Sequence, residues 1–174
     1  MALRKAIAYR YFERPNTRKS KVKSKSYIKT IPGSKIVKFR MGNKSKKFPF
    51  KLSLVSKEAV QMRDTAIEAS RQTINRLLEK KLGRNNYYFV IRVYPHHILR
   101  ENKMLTGAGA DRMQSGMKKS FGKPVGIAAR VHVGDELFSI DVEKSGLAVV
   151  KEAFRRIKAK IPCTTSIVIE KVSY

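Results

Sequence analysis

Six cations surround a stretch that is almost bare of side chains. Arg100, Lys103, Arg112, Lys118, Lys119 and Lys123 flank the run Thr106, Gly107, Ala108, Gly109, Ala110, Asp111. Ammonium and guanidinium groups bind phosphate oxygens, and an arginine can hold two of them at once. A tip built from glycine and alanine lets the backbone come close to another molecule. From residue 100 to residue 123 the chain has four glycines and only two acids, Glu101 and Asp111. That combination suits capture of a polyanion. A stretch of this length without an apolar period is usually functional or disordered.

Catalytic chemistry finds less support. Gly107-Ala-Gly109 opens like a dinucleotide loop, but Arg112 stands where the third glycine belongs, and no amphipathic helix follows. Gly116 to Gly122-Lys123 resembles a phosphate-binding loop with one residue too many. Pro124 also replaces the hydroxyl that would hold magnesium. The carboxylates are scattered singly, and no Ser-His-Asp grouping is convincing. His96-His97 invites a metal reading. Adjacent residues on a strand point to opposite faces, so packing or RNA contact is favoured for the pair. No catalytic residue, metal or cofactor is expected.

Composition points the same way. The chain has 174 residues, with 39 Lys plus Arg against 13 Asp plus Glu, for a net charge of +26. Such a chain repels itself unless a polyanion neutralises it. Nucleic acid is the common partner and an anionic membrane surface the less common one. The apolar runs are too short to span a bilayer, and the first ten residues lack the apolar stretch of a secretory signal. Cys163 stands alone, which excludes an intrachain disulfide and fits a reducing compartment. Residues 1–48 hold 16 of the Lys and Arg and a single acid, Glu13, for +15.

This asymmetry marks residues 1–33 as a basic arm and residues 34–174 as one α+β domain. In the arm, Tyr9, Tyr11, Phe12 and Tyr27 interleave with Arg4, Lys5, Arg10, Arg14 and Arg18. Lys19, Lys21, Lys23 and Lys25 then alternate with small residues in a segment that cannot build a core. A solvated tail and an arm that orders on RNA both fit. The interleaved rings favour the second, since rings stack on bases while cations meet phosphates.

The elements that must position these residues follow from periodicity. Val37 and Phe39 alternate with Lys38 and Arg40 as a short half-buried strand, and the core is expected to begin near Val37. Phe50, Leu52 and Leu54 alternate as a second strand. Ser56 is expected to cap a helix over about 57–82, with Val60, Ile67, Ile74, Leu77 and Leu78 inward. Its mixed-sign face, Arg63, Asp64, Glu68, Arg71 and Lys80, is read as solvated. Tyr87 to Tyr94 reads as a strand. Val125–Val133 and Leu137–Val142 read as a hairpin about Gly134-Asp135-Glu136. Ser145 or Asp141 would cap a second helix with an apolar stripe at Leu147, Val150, Phe154, Ile157 and Ile161. Its opposite side, Lys151, Arg155, Lys158 and Lys160, suits either an RNA face or plain solvation. Pro162 stops that helix and Ser166–Val172 is a last strand. The order gives an α+β domain of two helices on a mostly antiparallel sheet.

At the loop, the run from His97 through Arg100, Glu101, Lys103, Thr106, Gly107, Gly109, Asp111, Arg112, Gly116, Lys118 and Lys119 to Lys123-Pro124 closely resembles the family of large-subunit ribosomal protein ten-e of archaea and eukaryotes. The bacterial counterpart of that family is large-subunit protein sixteen. Ala129-Arg-Val-His-Val-Gly134, Ala153-Phe-Arg-Arg, Lys160-Ile-Pro162, Tyr9-Arg-Tyr11 and Pro32-Gly-Ser-Lys-Ile36 extend the likeness over essentially the whole chain. The resemblance implies an α/β-hammerhead type of α+β fold. It also implies a cytoplasmic, structural role in the large ribosomal subunit. There the chain would bind rRNA beside the peptidyl transferase centre, next to neighbouring ribosomal proteins. The loop tip, Thr106 to Asp111, would lie near transiently bound tRNA. Absence of the long C-terminal extension of the eukaryotic members implies an archaeal type. An RNA-acting enzyme and a DNA-packaging protein are the rival readings, carried only by the glycine loops and by charge.

Overall fold

The computed structural model describes residues 4–12, 22–25, 28, 30–101 and 122–172. Eight strands are described, and every pair is antiparallel. They are β1 (Arg40–Gly42), β2 (Phe50–Ser56), β3 (Val60–Arg63), β4 (Tyr87–Ile91), β5 (His97–Glu101), β6 (Lys123–Val131), β7 (Glu136–Val142) and β8 (Thr165–Lys171). The two α-helices of the described residues are α1 (Asp64–Leu82) and α2 (Leu147–Ile157). The expected α+β class, with two helices on antiparallel sheet, is the class observed.

The strands form two sheets. The larger has the order β1-β4-β7-β2-β8 and the smaller β3-β6-β5. Both helices pack against one another and against the larger sheet. One core unites Leu52, Leu54, Phe89, Phe138 and Ile140 of the larger sheet with Ile67, Ile74 and Leu78 of α1 and Val150, Phe154 and Ile157 of α2. Val60, Met62, Ala129 and Val131 bring one face of the smaller sheet into the same core.

Three sequence expectations give way here. Val60 does not lie in a helix: Val60 and Met62 alternate inward from β3, and α1 starts four residues later at Asp64. Ser56 ends β2 and donates its hydroxyl to the Glu58 carbonyl at 2.8 Å instead of capping. A short apolar run fits either period, and pairing with β6 decided this one. The second helix also begins without a side-chain cap, from Gly146, so neither Ser145 nor Asp141 serves. Second, β6 and β7 are not a hairpin. The turn is real, with Gly134 at φ 90° and Asp135 Oδ2 accepting from the His132 N–H at 2.8 Å. Its ends enter different sheets, however, because Gly134 N–H and Ser56 N–H fasten the turn to the end of β2.

Third, the first strand is displaced. Ile36 is buried while Val37 is 70% exposed, so the inward phase differs by one residue from the expectation, and β1 begins only at Arg40. The cause lies on α1. Lys35 N–H donates to Asp64 Oδ2 at 3.0 Å and Val37 N–H to Glu68 Oε2 at 3.3 Å. Two extended residues advance the chain by ~6.6 Å and four helical residues by ~6.0 Å, so alternate amides meet carboxylates one turn apart. Asp64 and Glu68 are therefore buried beneath this segment, contrary to the solvated face read from the sequence.

Candidate RNA interface

The root of the long basic loop is a strand ladder. Arg100 and Glu101 belong to β5 and Lys123 to β6. Glu101 pairs with Lys123 in register, and Arg100 pairs with Pro124 beyond a bulge after Leu99. The predicted loop therefore leaves and returns through two adjacent strands. Gly122, at φ 117°, supplies a backbone conformation that side chains disfavour just before β6.

The N-terminal segment lies over the outer face of this smaller sheet. Ala6–Tyr9 forms one 3-10 turn. Tyr9 is 8% exposed and packs on Leu99, Ala128 and Val125, so the buried structure reaches well before Val37. The Arg10 carbonyl accepts from Gln61 N–H at 3.0 Å on the free edge of β3. The Gln61 amide donates to the carbonyls of Tyr9 and Tyr11. The Arg63 guanidinium stands 5.6 Å from the centre of the Tyr9 ring. Phe12 closes the far end, with its ring 4.0 Å from the Arg130 guanidinium and edge-on to His132 at 4.8 Å. At the near end the Arg4 guanidinium pairs with the buried Glu101 carboxylate. The described N-terminal residues and the ends of β5 and β6 thus lie side by side.

Of the predicted RNA-binding residues, Lys5, Arg10, Lys25 and Lys123 are exposed and Arg100 is half-buried. Arg4 is also exposed, but its charge is answered by Glu101. Lys23 and Lys25 lie in a 3-10 turn. Arg14, Arg18, Lys19, Lys21, Lys103, Arg112, Lys118 and Lys119, and the tip residues Thr106 to Asp111, fall outside the described residues. On the outer side of α2, Lys151 and Arg155 are exposed, as are Lys158 and Lys160 in the 3-10 turn that follows it, while Glu152 is shared by Lys81 and Arg156. Sequence reasoning did not find Gln61, Arg63 or Glu101 as partners of the arm. No local signal marks them, because each acts on a residue far away in the chain.

His97 sits on the same sheet. Burial, reinforced by the Arg130 and Arg100 charges, pushes its imidazole down to about 4, so the ring is neutral at pH 7. Among the described residues no group of three or more His, Cys, Asp or Glu could hold a metal ion. A lowered histidine destabilises the folded state in acid. Its contribution is fully present above about 6.5, the unfolded value, and is lost as pH falls toward about 4. His97→Gln should therefore unfold less steeply with acid over that window. The difference in melting temperature between variant and parent should be constant above pH 6.5 and change steadily below it.

Comparison with known proteins settles the lineage. A family model described as ribosomal protein L16p/L10e matches residues 12–168. The chain belongs to this family. A relative from Archaeoglobus fulgidus, named large ribosomal subunit protein uL16, is 47% identical over 171 residues, 98% of this chain and 95% of its own. Proteins of the same name from Methanococcus maripaludis and Staphylothermus marinus are 46% and 44% identical over 98% of this chain and 96% and 95% of theirs. Family membership bears out the resemblance carried by the loop motif. It also assigns the chain to ribosomal proteins and not to enzymes, so the imperfect glycine loops are not catalytic. No described helix is long and apolar enough to cross a membrane.

Proposed function

We propose that this chain is a structural constituent of the large ribosomal subunit in the cytoplasm. It binds rRNA through the arm, residues 1–33, and through the loop, residues 100–123. The body, residues 34–174, carries both. The near-complete match to proteins named large ribosomal subunit protein uL16 carries this reading. The docking of Tyr9 beside the loop root supports it, because cations from two distant parts of the chain then act on one stretch of RNA. The exposed Lys5, Arg10, Lys25 and Lys123, with Arg14, Arg18, Lys19, Lys21, Lys23, Arg100 and Lys103, hold phosphates. The tip, Thr106 to Asp111, with Arg112, Lys118 and Lys119 behind it, reaches the peptidyl transferase centre and meets tRNA transiently.

Sedimentation tests the first part. The protein should pellet with the large subunit through a wash in moderate salt; recovery as free protein would overturn the assignment. Replacing Leu105 to Gly116 with a short Gly-Ser link tests the second. Loop-closure entropy depends weakly on length, so the melting temperature should stay nearly constant and subunits should still take up the protein. Peptide-bond formation or tRNA accommodation on those subunits should slow. Rates equal to the parent would reject the role of the tip.

A further inference from the structure

The segment laid over α1 creates a cleft. Its amides are fixed to Asp64 and Glu68, and β1 continues from it along β4, with Arg40 opposite Val90. Gly42, at φ 87°, closes the end. A Cβ there would lie 2.1 Å from the Tyr87 carbonyl oxygen, so only glycine lets β1 seat this closely. Between this strand and the outer side of α1 lies a space of about 370 Å³. Lys38, Arg40, Arg71 and Arg84 face it, with Asn75 and Glu79.

The charges in this cleft are unequal. Glu68 holds the Arg71 guanidinium through two hydrogen bonds, of 2.8 and 2.6 Å, so Arg71 is answered within the fold. Lys38, Arg40 and Arg84 are exposed, and none of their side chains makes a hydrogen bond or ion pair among the described residues. Glu79 is the one acid on the lining, which leaves three cations against one carboxylate. Asn75 Oδ1 already accepts from the Tyr87 hydroxyl at 2.7 Å, so its amide nitrogen is the part left to donate. Val37, Met41 and Gly42 complete the lining, which holds no aromatic side chain. A protein-binding groove is centred on aromatic anchors, which this cleft lacks, whereas four cations and the Asn75 amide give it donors suited to phosphate oxygens. Arg40 stands on β1 and Arg71 and Asn75 on α1, while Lys38 lies just before β1 and Arg84 in the turn after α1, so the cleft draws its donors from both of its walls.

We infer that this cleft seats the sugar-phosphate backbone of an RNA strand, as a contact separate from the arm and the loop. Arg40 and Arg84 are the two-pronged phosphate ligands and Lys38 is a point charge at the rim. These contacts position the protein and carry no base sequence. The inference rests on the ribosomal reading above, and its test separates the two.

The variant with Lys38→Gln, Arg40→Gln and Arg84→Gln should keep its circular dichroism and melting temperature, since these exposed side chains have no hydrogen bond or ion pair to lose. Its affinity for large-subunit rRNA, measured across a salt series, should show a log-log slope smaller by roughly 2 than that of the unaltered protein, at roughly 0.7 to 0.9 for each phosphate contact. A hydroxyl-radical footprint should lose one stretch of protection and keep the rest. The double change Arg40→Lys and Arg84→Lys should restore most of the slope. An unchanged slope, or a smaller slope with an unchanged footprint, overturns the cleft and leaves the ribosomal reading standing. Failure of the unaltered protein to bind rRNA overturns both.

Discussion

Phe154→Ala should cost about 3–5 kcal/mol of folding stability. The ring is 1% exposed, in the middle of the α2 stripe, where the larger sheet and α1 meet. Removing it strips apolar surface from the core and leaves a void that close-packed neighbours refill only in part. Lys158→Ala, at an exposed position directly after the same helix, should change stability by less than about 0.5 kcal/mol. Chemical denaturation of both variants checks the pair. Similar losses would mean that α2 presents another face to the core.

The second large loss is expected at Glu68→Ala, on the order of 3 kcal/mol. This carboxylate accepts from Arg71 through two nitrogens, from the Gln72 amide at 3.0 Å and from Val37 N–H at 3.3 Å. Alanine would leave a nearly buried guanidinium without its counter-charge and free the segment that covers the helix. The Arg71 hydrogen bonds hold the Glu68 carboxyl below its usual value of 4.5 against the opposing effect of burial. A depressed carboxylate stabilises above its unfolded value, and that stability drains away as pH falls through the folded value. The loss should therefore be full at pH 7 and shrink below about 4.5. Glu68→Gln keeps an acceptor for Val37 but not the charge, and should cost roughly 1–2 kcal/mol. Urea midpoints at pH 7 and pH 3 distinguish the two effects. A Glu68→Ala loss that does not vary with pH would show that packing, not charge, is what was removed.

These two residues mark how far sequence reasoning reaches. The stripe of α2 was legible because a 3.6-residue period leaves few alternatives over eleven helical residues. Glu68 was read as solvated because periodicity tells which side of a helix a residue occupies. It does not tell that another segment will lie across that side. The β3 strand was hidden for a related reason: Val60 and Met62 satisfy period two, while Val60 and Ile67 satisfy a helix, and only the pairing with β6 separates them. The turn at Gly134 was legible in its residues, but its destination was not. Strands adjacent in sequence usually pair, and this corner instead passes between sheets. At the candidate interface the cations were legible by type. The Tyr9 anchor and the Arg4–Glu101 pair were not, since they join residues from opposite halves of the chain.

The position of β8 has a consequence for how the chain is born. β2 lies between β7 and β8, with Phe50 opposite Lys171 and Ser56 opposite Thr165. Synthesis proceeds from the N-terminus, so β2 emerges early and waits for almost the entire remaining chain before its outer neighbour exists. A nascent chain halted before Thr165 presents β2 as an open edge, ready to pair with other strands. Closing the larger sheet therefore waits for Thr165–Lys171 to emerge, and the long sequence separation of its partners makes that step slow relative to helix formation. Until then the amides and carbonyls on that side of β2 have no partner strand, and the edge is open to mispairing with another chain.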